Sequence, residues 1–259
     1  MHQPALDRLA DILANEEEVK AIFVKGSFGR GEQDPYSDID LYCLVEENDL
    51  NHFLTKRLTL LSAYKNVLYS EELFIIAPQL IVVYDDFLHV DLFTVTEKTF
   101  KQSDHFQTLY DPHHLLDQFK ETQKLTMSDE EYGSQIIDMT WFLFQYRKAA
   151  LRENGAWAAA MLQQVTDPLA RMLLHHYAPG RAQLGLKRAE QLLPFSIFSE
   201  FKIILENVTP SGHQKAATAI LHLLTREQSF LENRLKGAEK QVIYPFFQKL
   251  IAEVSLLNK

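Results

Sequence analysis

The chain has 259 residues, of which 46% are hydrophobic and 24% charged, and its net charge at neutral pH is −9. This length holds one large domain or two small ones, and the acidic balance, without a dense Lys/Arg block, excludes the basic stripe that an extended nucleic-acid surface requires. The single cysteine, Cys43, excludes an internal disulfide and favours a reducing compartment.

The N-terminal stretch, residues 2–15, has the spacing of a charged amphipathic helix and lacks the long apolar core of a signal peptide. No later run reaches the ~20 apolar residues that span a bilayer, so we expect a cytoplasmic protein with no membrane partner. A short acidic run, 16–18, is interpreted as a solvated turn. The apolar run 21–24 then predicts a buried strand.

A glycine-rich loop and a pair of aspartates follow this strand. Residues 25–45 read Lys-Gly-Ser-Phe-Gly-Arg-Gly-Glu-Gln-Asp-Pro-Tyr-Ser-Asp-Ile-Asp-Leu-Tyr-Cys-Leu-Val, and 39–45 predict a second strand. Asp38 and Asp40 lie at the start of this strand and share one face, because side chains alternate along a strand. Neighbouring carboxylates repel each other, and a divalent cation such as Mg²⁺, which prefers oxygen ligands, removes that conflict.

Gly26 and Ser27 have the chemistry of a phosphate-binding loop. Glycine lets the backbone approach a phosphate closely and adopt positive φ. Serine adds a hydroxyl donor, and successive N–H groups there can form an anion-binding nest, which the N-terminus of a following helix would strengthen. A phosphate loop beside a metal-binding carboxylate pair predicts nucleoside triphosphate chemistry.

The same residues carry a family resemblance. Gly26-Ser27, followed eleven residues after the serine by Asp38-Ile39-Asp40, resembles the signature of the DNA polymerase β-like nucleotidyltransferase superfamily. The fuller pattern Gly-Ser-Phe-Gly-Arg-Gly…Ser-Asp-Ile-Asp is similar to the small bacterial antibiotic adenylyltransferases, which include the kanamycin, streptomycin and lincosamide enzymes. The alternative is an ordinary surface loop with capping aspartates.

Farther along, residues 48–64 have helical spacing, and the apolar runs 80–84 and 87–95 predict a hairpin. The two residues between these arms, Asp85 and Asp86, are interpreted as the turn rather than as metal ligands.

Asp91 lies among strand-forming apolar residues, where a carboxylate is costly to bury without a partner. The superfamily has a third acidic residue on a neighbouring strand, so the resemblance implies that Asp91 completes the carboxylate set. An edge-strand aspartate facing water is the alternative, and the choice between metal ligand and general base is left open. His89 shares its face and is assigned no role. The following run 109–112 is similar to a segment that closes the catalytic sheet in the adenylyltransferases.

From Ser128 onward the sequence pattern is typical of helices, and Ser128 forms a capping box with Glu131. The predicted helices cover 128–153, 156–177, 186–193, 195–207 and 213–235, and a last one follows Gly237, with a kink expected at Pro245. We therefore predict a catalytic domain, 1–120, and an acceptor-side α-helical bundle, 121–259. The first long helix is apolar almost all round, so we expect it to be buried on several sides.

Within that helix, the aromatic side chains of Trp141 and Tyr146 are either core or part of an acceptor pocket. The basic residues near its C-terminal end either complement the helix dipole or reach a phosphate. Arg30, which lies in the glycine-rich loop itself, is the preferred phosphate contact.

The expected fold class is α+β: a mixed-sheet nucleotidyltransferase domain followed by a helical bundle. The resemblance implies an enzyme that moves AMP from ATP, or another nucleoside monophosphate from its triphosphate, to a hydroxyl of an aminoglycoside- or lincosamide-like small molecule, releasing pyrophosphate. Gly26, Ser27 and Arg30 would bind the nucleotide. Two Mg²⁺ ions, roughly 3.5–4 Å apart, would be held by three carboxylates, those of Asp38, Asp40 and Asp91.

Two other functions fit the same residues: a protein- or RNA-modifying nucleotidyltransferase, and an inactive nucleotide-binding module. The size of the helical half and the acidic balance favour a small-molecule acceptor over a protein or RNA acceptor. The presence of all three carboxylates argues against an inactive nucleotide-binding module. We expect a monomer or a homodimer.

Overall fold

The computed structural model describes residues 2–100, 104–237 and 239–257. The chain forms two compact units, Met1–Lys124 and Leu125–Lys259. The division of roles between 1–120 and 121–259, catalytic and acceptor-side, stays a prediction. Among the described residues, no helix has the length and apolar character needed to cross a membrane.

The first unit is built on a mixed sheet. Its elements are α1 (Gln3–Ala14), β1 (Val19–Val24), α2 (Gly26–Gly29), β2 (Ile39–Val45), α3 (Leu50–Ser62), β3 (Val67–Phe74), β4 (Pro78–Tyr84), β5 (His89–Val95), β6 (Gln107–Tyr110) and a 3-10 segment, Asp117–Thr122. In the described part of the chain, six strands follow the order β3-β4-β5-β2-β1-β6. Strands β2 and β5 run parallel, and the other neighbours run antiparallel. With the helical second unit, this sheet confirms the predicted α+β class.

One face of the sheet packs in an apolar core with α1 and α3. Its buried side chains include Leu6, Leu9, Ile22, Val24, Leu41, Cys43, Phe53, Leu61, Val90 and Leu92. Cys43 is thus the small buried residue of this strand, and burial raises the pKa of its thiol.

The opposite face carries a row of aromatic rings. Phe23, Tyr42 and Phe93 lie on β1, β2 and β5 and stack across the sheet, with successive ring centroids 5.0 and 4.5 Å apart. Each such pair contributes ~0.5–1.5 kcal/mol beyond the burial of its area. Asp40 and Asp91 occupy the next position on the same face, two residues before Tyr42 and Phe93. The aromatic row therefore holds together the strands that present the carboxylates.

The connection between β4 and β5 is longer than the predicted two-residue turn. It comprises residues 85–88, and Phe87 adopts a left-handed backbone conformation, with φ at 62°. The Asp86 carboxylate holds this turn, because it accepts hydrogen bonds from the Leu88 N–H at 3.2 Å and from Lys65 at 2.9 Å. Both aspartates are turn residues, as predicted, but the two-residue hairpin is wrong.

Strand β3 is absent from the sequence predictions. It is an edge strand whose side chains are mostly exposed on both faces. An edge strand without a buried face leaves no alternating hydrophobic signal, so its pattern could not be recognised.

The acidic run before β1 is a turn, as predicted, but its last residue is buried rather than solvated. Glu18 is only 9% exposed, and its carboxylate accepts hydrogen bonds from Lys56 at 2.9 and 3.0 Å. Lys56 also pairs with Glu16, and His52 Nδ1 lies 2.6 Å from Glu18. The hydrogen bond from Lys56 is the main reason why the pKa of Glu18 falls to about 2.

The second unit is helical. It contains α4 (Asp129–Leu151), α5 (Gly155–Tyr177), a 3-10 segment (Pro179–Leu184), α6 (Leu186–Leu192), α7 (Phe195–Asn207), α8 (His213–Arg226), α9 (Gln228–Arg234), a π-helical segment (Glu239–Ile243) and α10 (Tyr244–Leu257). The capping box of Ser128 and Glu131 at the start of α4 is confirmed. Pro245 is the second residue of α10, so the interruption expected there is a change of helix type.

Two details of this unit differ from the predictions. The single helix predicted over 213–235 is two helices, α8 and α9, which meet at Glu227. Helix α4 was expected to be buried on several sides, but its buried side chains recur every three or four residues along one stripe, and Ile137 and Trp141 are 40% and 54% exposed. Tyr146 is fully buried, and its hydroxyl lies 3.2 Å from His213 Nδ1.

Candidate active site

The glycine-rich loop is fixed directly to β2. The Lys25 N–H donates a hydrogen bond to the Asp40 carbonyl at 2.9 Å. Gly26 adopts a φ of +58°, and a Cβ added there would lie 1.8 Å from Asp40 Oδ2. Only glycine therefore lets the Asp40 carboxylate lie against the loop backbone.

Ser27 follows in the single turn of α2, and its Oγ is buried without a hydrogen-bond partner. A buried polar group that lacks a partner costs ~1–3 kcal/mol. An oxygen-rich ligand beside the loop would supply one. Because α2 spans only four residues, the dipole contribution expected from a following helix is confined to one turn.

The carboxylates meet across the parallel pair β2 and β5. Asp40 is the register partner of Asp91, so their side chains share a face at the same level. Asp38, two residues before Asp40, offers an oxygen within 4.8 Å of ligand atoms of Asp91 and His89. Among the described residues, the structure thus groups Asp38 and Asp91 with His89, whereas Asp40 is in register with Asp91 but is not a member of this close group of ligand atoms.

Asp91 is buried, with 8% of its surface exposed, on a strand inside the sheet. The alternative of an edge-strand aspartate facing water is therefore wrong. Its Oδ1 accepts hydrogen bonds from Gln79 Nε2 at 2.9 Å and from His89 Nε2 at 3.1 Å. Burial raises the pKa of Asp91, but these two hydrogen bonds outweigh burial and leave that pKa below its ordinary value.

The residues that orient Asp91 were not identified as functional from the sequence. The hydrogen bond to Asp91 raises the pKa of His89, with smaller contributions from the charges of Asp38 and Asp40. The position of His89, two residues before Asp91, was a usable signal. Gln79 lies on β4, and only the pairing of β4 with β5 brings it to Asp91.

Two cations lie near the loop, in different settings. Arg30 pairs with Glu32 at 3.1 Å and with Asp104 at 3.3 Å, so its guanidinium is turned toward carboxylates of its own loop and of the loop before β6. Its predicted contact with a phosphate stays a prediction. Lys25, which the sequence analysis overlooked, is 7% exposed and places Nζ 5.2 Å from the centroid of the Tyr42 ring. Burial lowers the pKa of Lys25 to about 8.

Two cavities lie at opposite ends of β2 and β5. One, of about 530 Å³, includes Asp38 and His89 in its wall. The other, of about 550 Å³, is lined by Val45, Thr96 and neighbouring residues at the far ends of the same strands. Only the first opens beside the candidate site.

Residues 7–83 match the family described as Polymerase beta, Nucleotidyltransferase. The match includes the glycine-rich loop, Asp38 and Asp40, and it ends before Asp91. The predicted resemblance is thereby confirmed, and the first unit has a nucleotidyltransferase fold with a candidate acidic metal site.

Solved structures resemble the chain over most of its length, at low identity. An aminoglycoside 6-adenyltransferase from Bacillus subtilis is 12% identical, with 96% of this chain and 98% of that one covered and a TM-score of 0.41. A nucleotidyltransferase-like protein from Exiguobacterium sibiricum 255-15 is 13% identical, with 99% and 89% covered and a TM-score of 0.38. The Thermotoga maritima CCA-adding enzyme complexed with tRNA is 13% identical, with 97% and 81% covered and a TM-score of 0.27. No curated relative matches the sequence.

Proposed function

We propose that the protein is a metal-dependent nucleotidyltransferase that moves AMP from ATP, or another nucleoside monophosphate from its triphosphate, to a hydroxyl of a small molecule and releases pyrophosphate. The observation that carries this proposal is the alignment of Asp40 with Asp91 across β2 and β5, next to Gly26 and the unpaired hydroxyl of Ser27.

Asp38, Asp40 and Asp91 are the residues that would hold Mg²⁺. Their fit rests on the close grouping of Asp38 with Asp91 and on the chemistry of the donors, since Mg²⁺ prefers oxygen ligands. His89 has a different role in this proposal: its Nε2 already binds Asp91 Oδ1, so it orients the carboxylate rather than serving as a ligand. When bound, the metal neutralises charge on the triphosphate and favours in-line displacement at the α-phosphorus.

Gly26 and Ser27 would hold the triphosphate. The positive φ of Gly26 brings the backbone to the Asp40 carboxylate, so phosphates held by this loop would lie next to the carboxylates that would hold the metal. The Ser27 hydroxyl would donate to a phosphate oxygen, which gives this buried oxygen the partner that it lacks within the chain. Arg30 would contact the phosphates only by giving up an ion pair with Glu32 or Asp104.

Asp91 acts in this proposal as a metal ligand first. Its lowered pKa makes it a weak proton acceptor at neutral pH. Because Oδ1 accepts two hydrogen bonds, Oδ2 is the oxygen better placed to reach a metal or an acceptor hydroxyl. A role as general base remains the alternative, and kinetics separate the two: loss of a ligand weakens binding of Mg²⁺–ATP, whereas loss of a base mainly lowers turnover.

The acceptor is proposed to be small and hydroxylated. The chain is acidic and carries no dense basic block, which disfavours a nucleic-acid acceptor. The fuller loop pattern, Gly-Ser-Phe-Gly-Arg-Gly followed by Ser-Asp-Ile-Asp, is similar to the antibiotic adenylyltransferases and favours an aminoglycoside- or lincosamide-like compound.

Transfer of label tests this function directly. ATP labelled at the α-phosphate is incubated with the protein and Mg²⁺, together with aminoglycosides, lincosamides, bulk tRNA or bulk protein. We expect label on a small molecule, none with Asp40→Asn, and release of pyrophosphate in equal amount. Label on macromolecules alone would replace the small-molecule acceptor by a protein or an RNA, and no label on any acceptor would contradict the enzyme.

A further inference from the structure

Lys25 is a buried cation where β1 meets the glycine-rich loop. Its side chain is 7% exposed, and its backbone is extended, so it shares a face of the sheet with Phe23, two residues earlier. Phe23 is the register partner of Tyr42, and the Lys25 N–H donates to the Asp40 carbonyl at 2.9 Å. Lys25 therefore continues the row of Asp40 and Asp91 toward β1, on the same face of the sheet.

Two aromatic rings flank the ammonium group of Lys25. Its Nζ lies 5.2 Å from the ring centroid of Tyr42 and 5.0 Å from that of Phe100. The face of an aromatic ring attracts a cation, but it replaces the hydration of an ammonium group only in part. A methionine would fill the same space without burying a charge. A lysine at this position therefore indicates an electrostatic role in addition to packing.

Two carboxylates act on this ammonium group. Burial lowers the pKa of Lys25, and the charges of Asp104 and Asp40 oppose that decrease. Asp104 also pairs with Arg30 at 3.3 Å, and Asp40 is a proposed metal ligand. Once Asp40 held a divalent cation, its charge would no longer serve Lys25 alone. A negatively charged ligand beside the loop would then restore the balance of charge around the ammonium group.

The order of the strands indicates which phosphates would meet Lys25. Strand β1 and its loop lie on one side of β2, and β5, which carries Asp91, lies on the other side. In an in-line displacement the attacking and leaving oxygens lie on opposite sides of the phosphorus. If the α-phosphorus lies at Asp40 and Asp91 and the Gly26–Ser27 loop holds the leaving pyrophosphate, Lys25 is on the side of the leaving group.

We propose that the Lys25 ammonium group binds the pyrophosphate part of the nucleoside triphosphate, together with the Gly26–Ser27 loop. This inference rests on the proposed function and adds to it a residue that neutralises charge on the leaving group. The burial of Lys25 favours such a contact, because little water screens the attraction between an ammonium group and phosphate oxygens there.

Calorimetric titration of three variants tests the role of Lys25. Lys25→Met keeps the length of the side chain and removes the charge, whereas Lys25→Arg keeps the charge and the N–H donors. Lys20→Met is the matched control, because Lys20 lies on the same strand and pairs with Glu46 at 3.8 Å. The probes are Mg²⁺–ATP and Mg²⁺–tripolyphosphate, which has the phosphates without the nucleoside.

We expect Lys25→Met to weaken the binding of both probes by ~10-fold, the low end for a hydrogen bond between charged groups. Lys25→Arg should bind both probes more tightly than Lys25→Met does, and Lys20→Met should bind them as the wild type does. The thermal midpoint of Lys25→Met should be unchanged or higher, because a buried charge is replaced by an apolar group. A packing role predicts the opposite order, since methionine serves packing at least as well as arginine.

Three results would overturn the role of Lys25: unchanged affinity for tripolyphosphate in Lys25→Met, a loss that affects Mg²⁺–ATP and spares tripolyphosphate, or an equal loss in Lys25→Met and Lys25→Arg. The first would leave Lys25 as a counter-ion of Asp40, and the second would place it beside the nucleoside. Failure of the proposed function has a separate signature, which is a wild-type protein that binds neither Mg²⁺–ATP nor Mg²⁺–tripolyphosphate.

Discussion

Two buried carboxylates, one in each unit, show the difference between a polar group that supports a fold and one that is prepared for a ligand. Glu227, 4% exposed, has both oxygens engaged: the Tyr177 hydroxyl donates at 2.8 Å, and His176 Nδ1 lies 2.6 Å away. Asp91 has one oxygen engaged, and its hydrogen-bond partner Gln79 keeps a buried Oε1 that has no partner of its own. Asp91 therefore differs from Glu227 in keeping one carboxylate oxygen for a ligand, beside the aligned Asp40.

The largest expected effect is on activity in the first unit. Asp40→Asn should abolish transfer, because it removes a carboxylate charge from the site, and Asp91→Asn should lower turnover by at least ~10²-fold. Both substitutions are nearly isosteric, so the thermal midpoint should change little. Label transfer and thermal unfolding are measured on the same preparations. Near-normal turnover in Asp91→Asn would make this residue a structural carboxylate like Glu227.

The Glu227 cluster should show the reverse behaviour. Glu227→Ala leaves His176 and the Tyr177 hydroxyl without their partner, and we expect the free energy of unfolding to fall by ~1–3 kcal/mol. Transfer activity per folded molecule should stay as in the wild type. Chemical denaturation gives the first quantity, and Glu206→Ala, at an exposed glutamate of α7, is the matched control. Loss of activity without loss of stability would reverse the roles assigned to the two carboxylates.

Ser27→Ala tests whether one hydroxyl group supports the fold or binds a ligand. Because Ser27 Oγ has no partner within the chain, its removal should leave stability unchanged or slightly raised. Affinity for Mg²⁺–ATP should fall by ~10-fold, the low end for a hydrogen bond to a charged group. Calorimetric titration and thermal unfolding measure the two effects. A destabilised variant with normal affinity would mean that the hydroxyl serves the fold.

Phe87→Gly tests whether the left-handed backbone conformation at residue 87 destabilises the first unit. Glycine adopts a φ of 62° without strain, so this substitution should raise the free energy of unfolding by ~1 kcal/mol. Little packing is lost, because the Phe87 side chain is mostly exposed. Urea denaturation measures the change. A less stable variant would show that the Phe87 ring packs usefully within the unit.

The smallest effect concerns acid stability. The pKa of Glu18 is lowered from 4.5 to about 2, with the largest contribution from Lys56 and further ones from a backbone hydrogen bond and from His52. A carboxyl group whose folded pKa is depressed adds stability above its unfolded pKa and loses that contribution as the pH falls through its folded pKa. The wild type should therefore lose stability between about pH 4.5 and pH 2 more steeply than Lys56→Met, with no difference in activity at neutral pH. If the free energy of unfolding fell equally steeply with pH in both proteins over that range, Lys56 would not be the group that lowers the pKa of Glu18.

How much of this was predictable depends on the range over which each signal acts. Strand β2 has the predicted bounds, Ile39–Val45, because its apolar run begins directly after the loop. Local rules also sufficed for the capping box at Ser128. The role of Gln79 could not be predicted, because its contact with Asp91 depends on the register of β4 against β5, which no local sequence pattern determines. The break at Glu227 coincides with hydrogen bonds between Glu227 and another helix, and no glycine or proline marks it in the sequence.

The candidate site was partly predictable for the same reason. The spacing of Gly26, Ser27, Asp38 and Asp40 is local, and residues 7–83 carry the family match. Asp91 was found through resemblance, and its alignment with Asp40 is a product of parallel pairing between distant segments. The engagement of Arg30 by Asp104 joins loops that are far apart in sequence, so the sequence alone could not reveal it.

The central claim is that aligned carboxylates and the Gly26–Ser27 loop form one metal-dependent nucleotide site. Calorimetric titration of ATP into the wild-type protein, once with Mg²⁺ and once with excess chelator, tests it most directly. We predict binding with Mg²⁺ that weakens markedly when the metal is removed, because the carboxylates then repel the triphosphate. Equal affinity under the two conditions would contradict a site built by Asp38, Asp40 and Asp91 around a divalent cation.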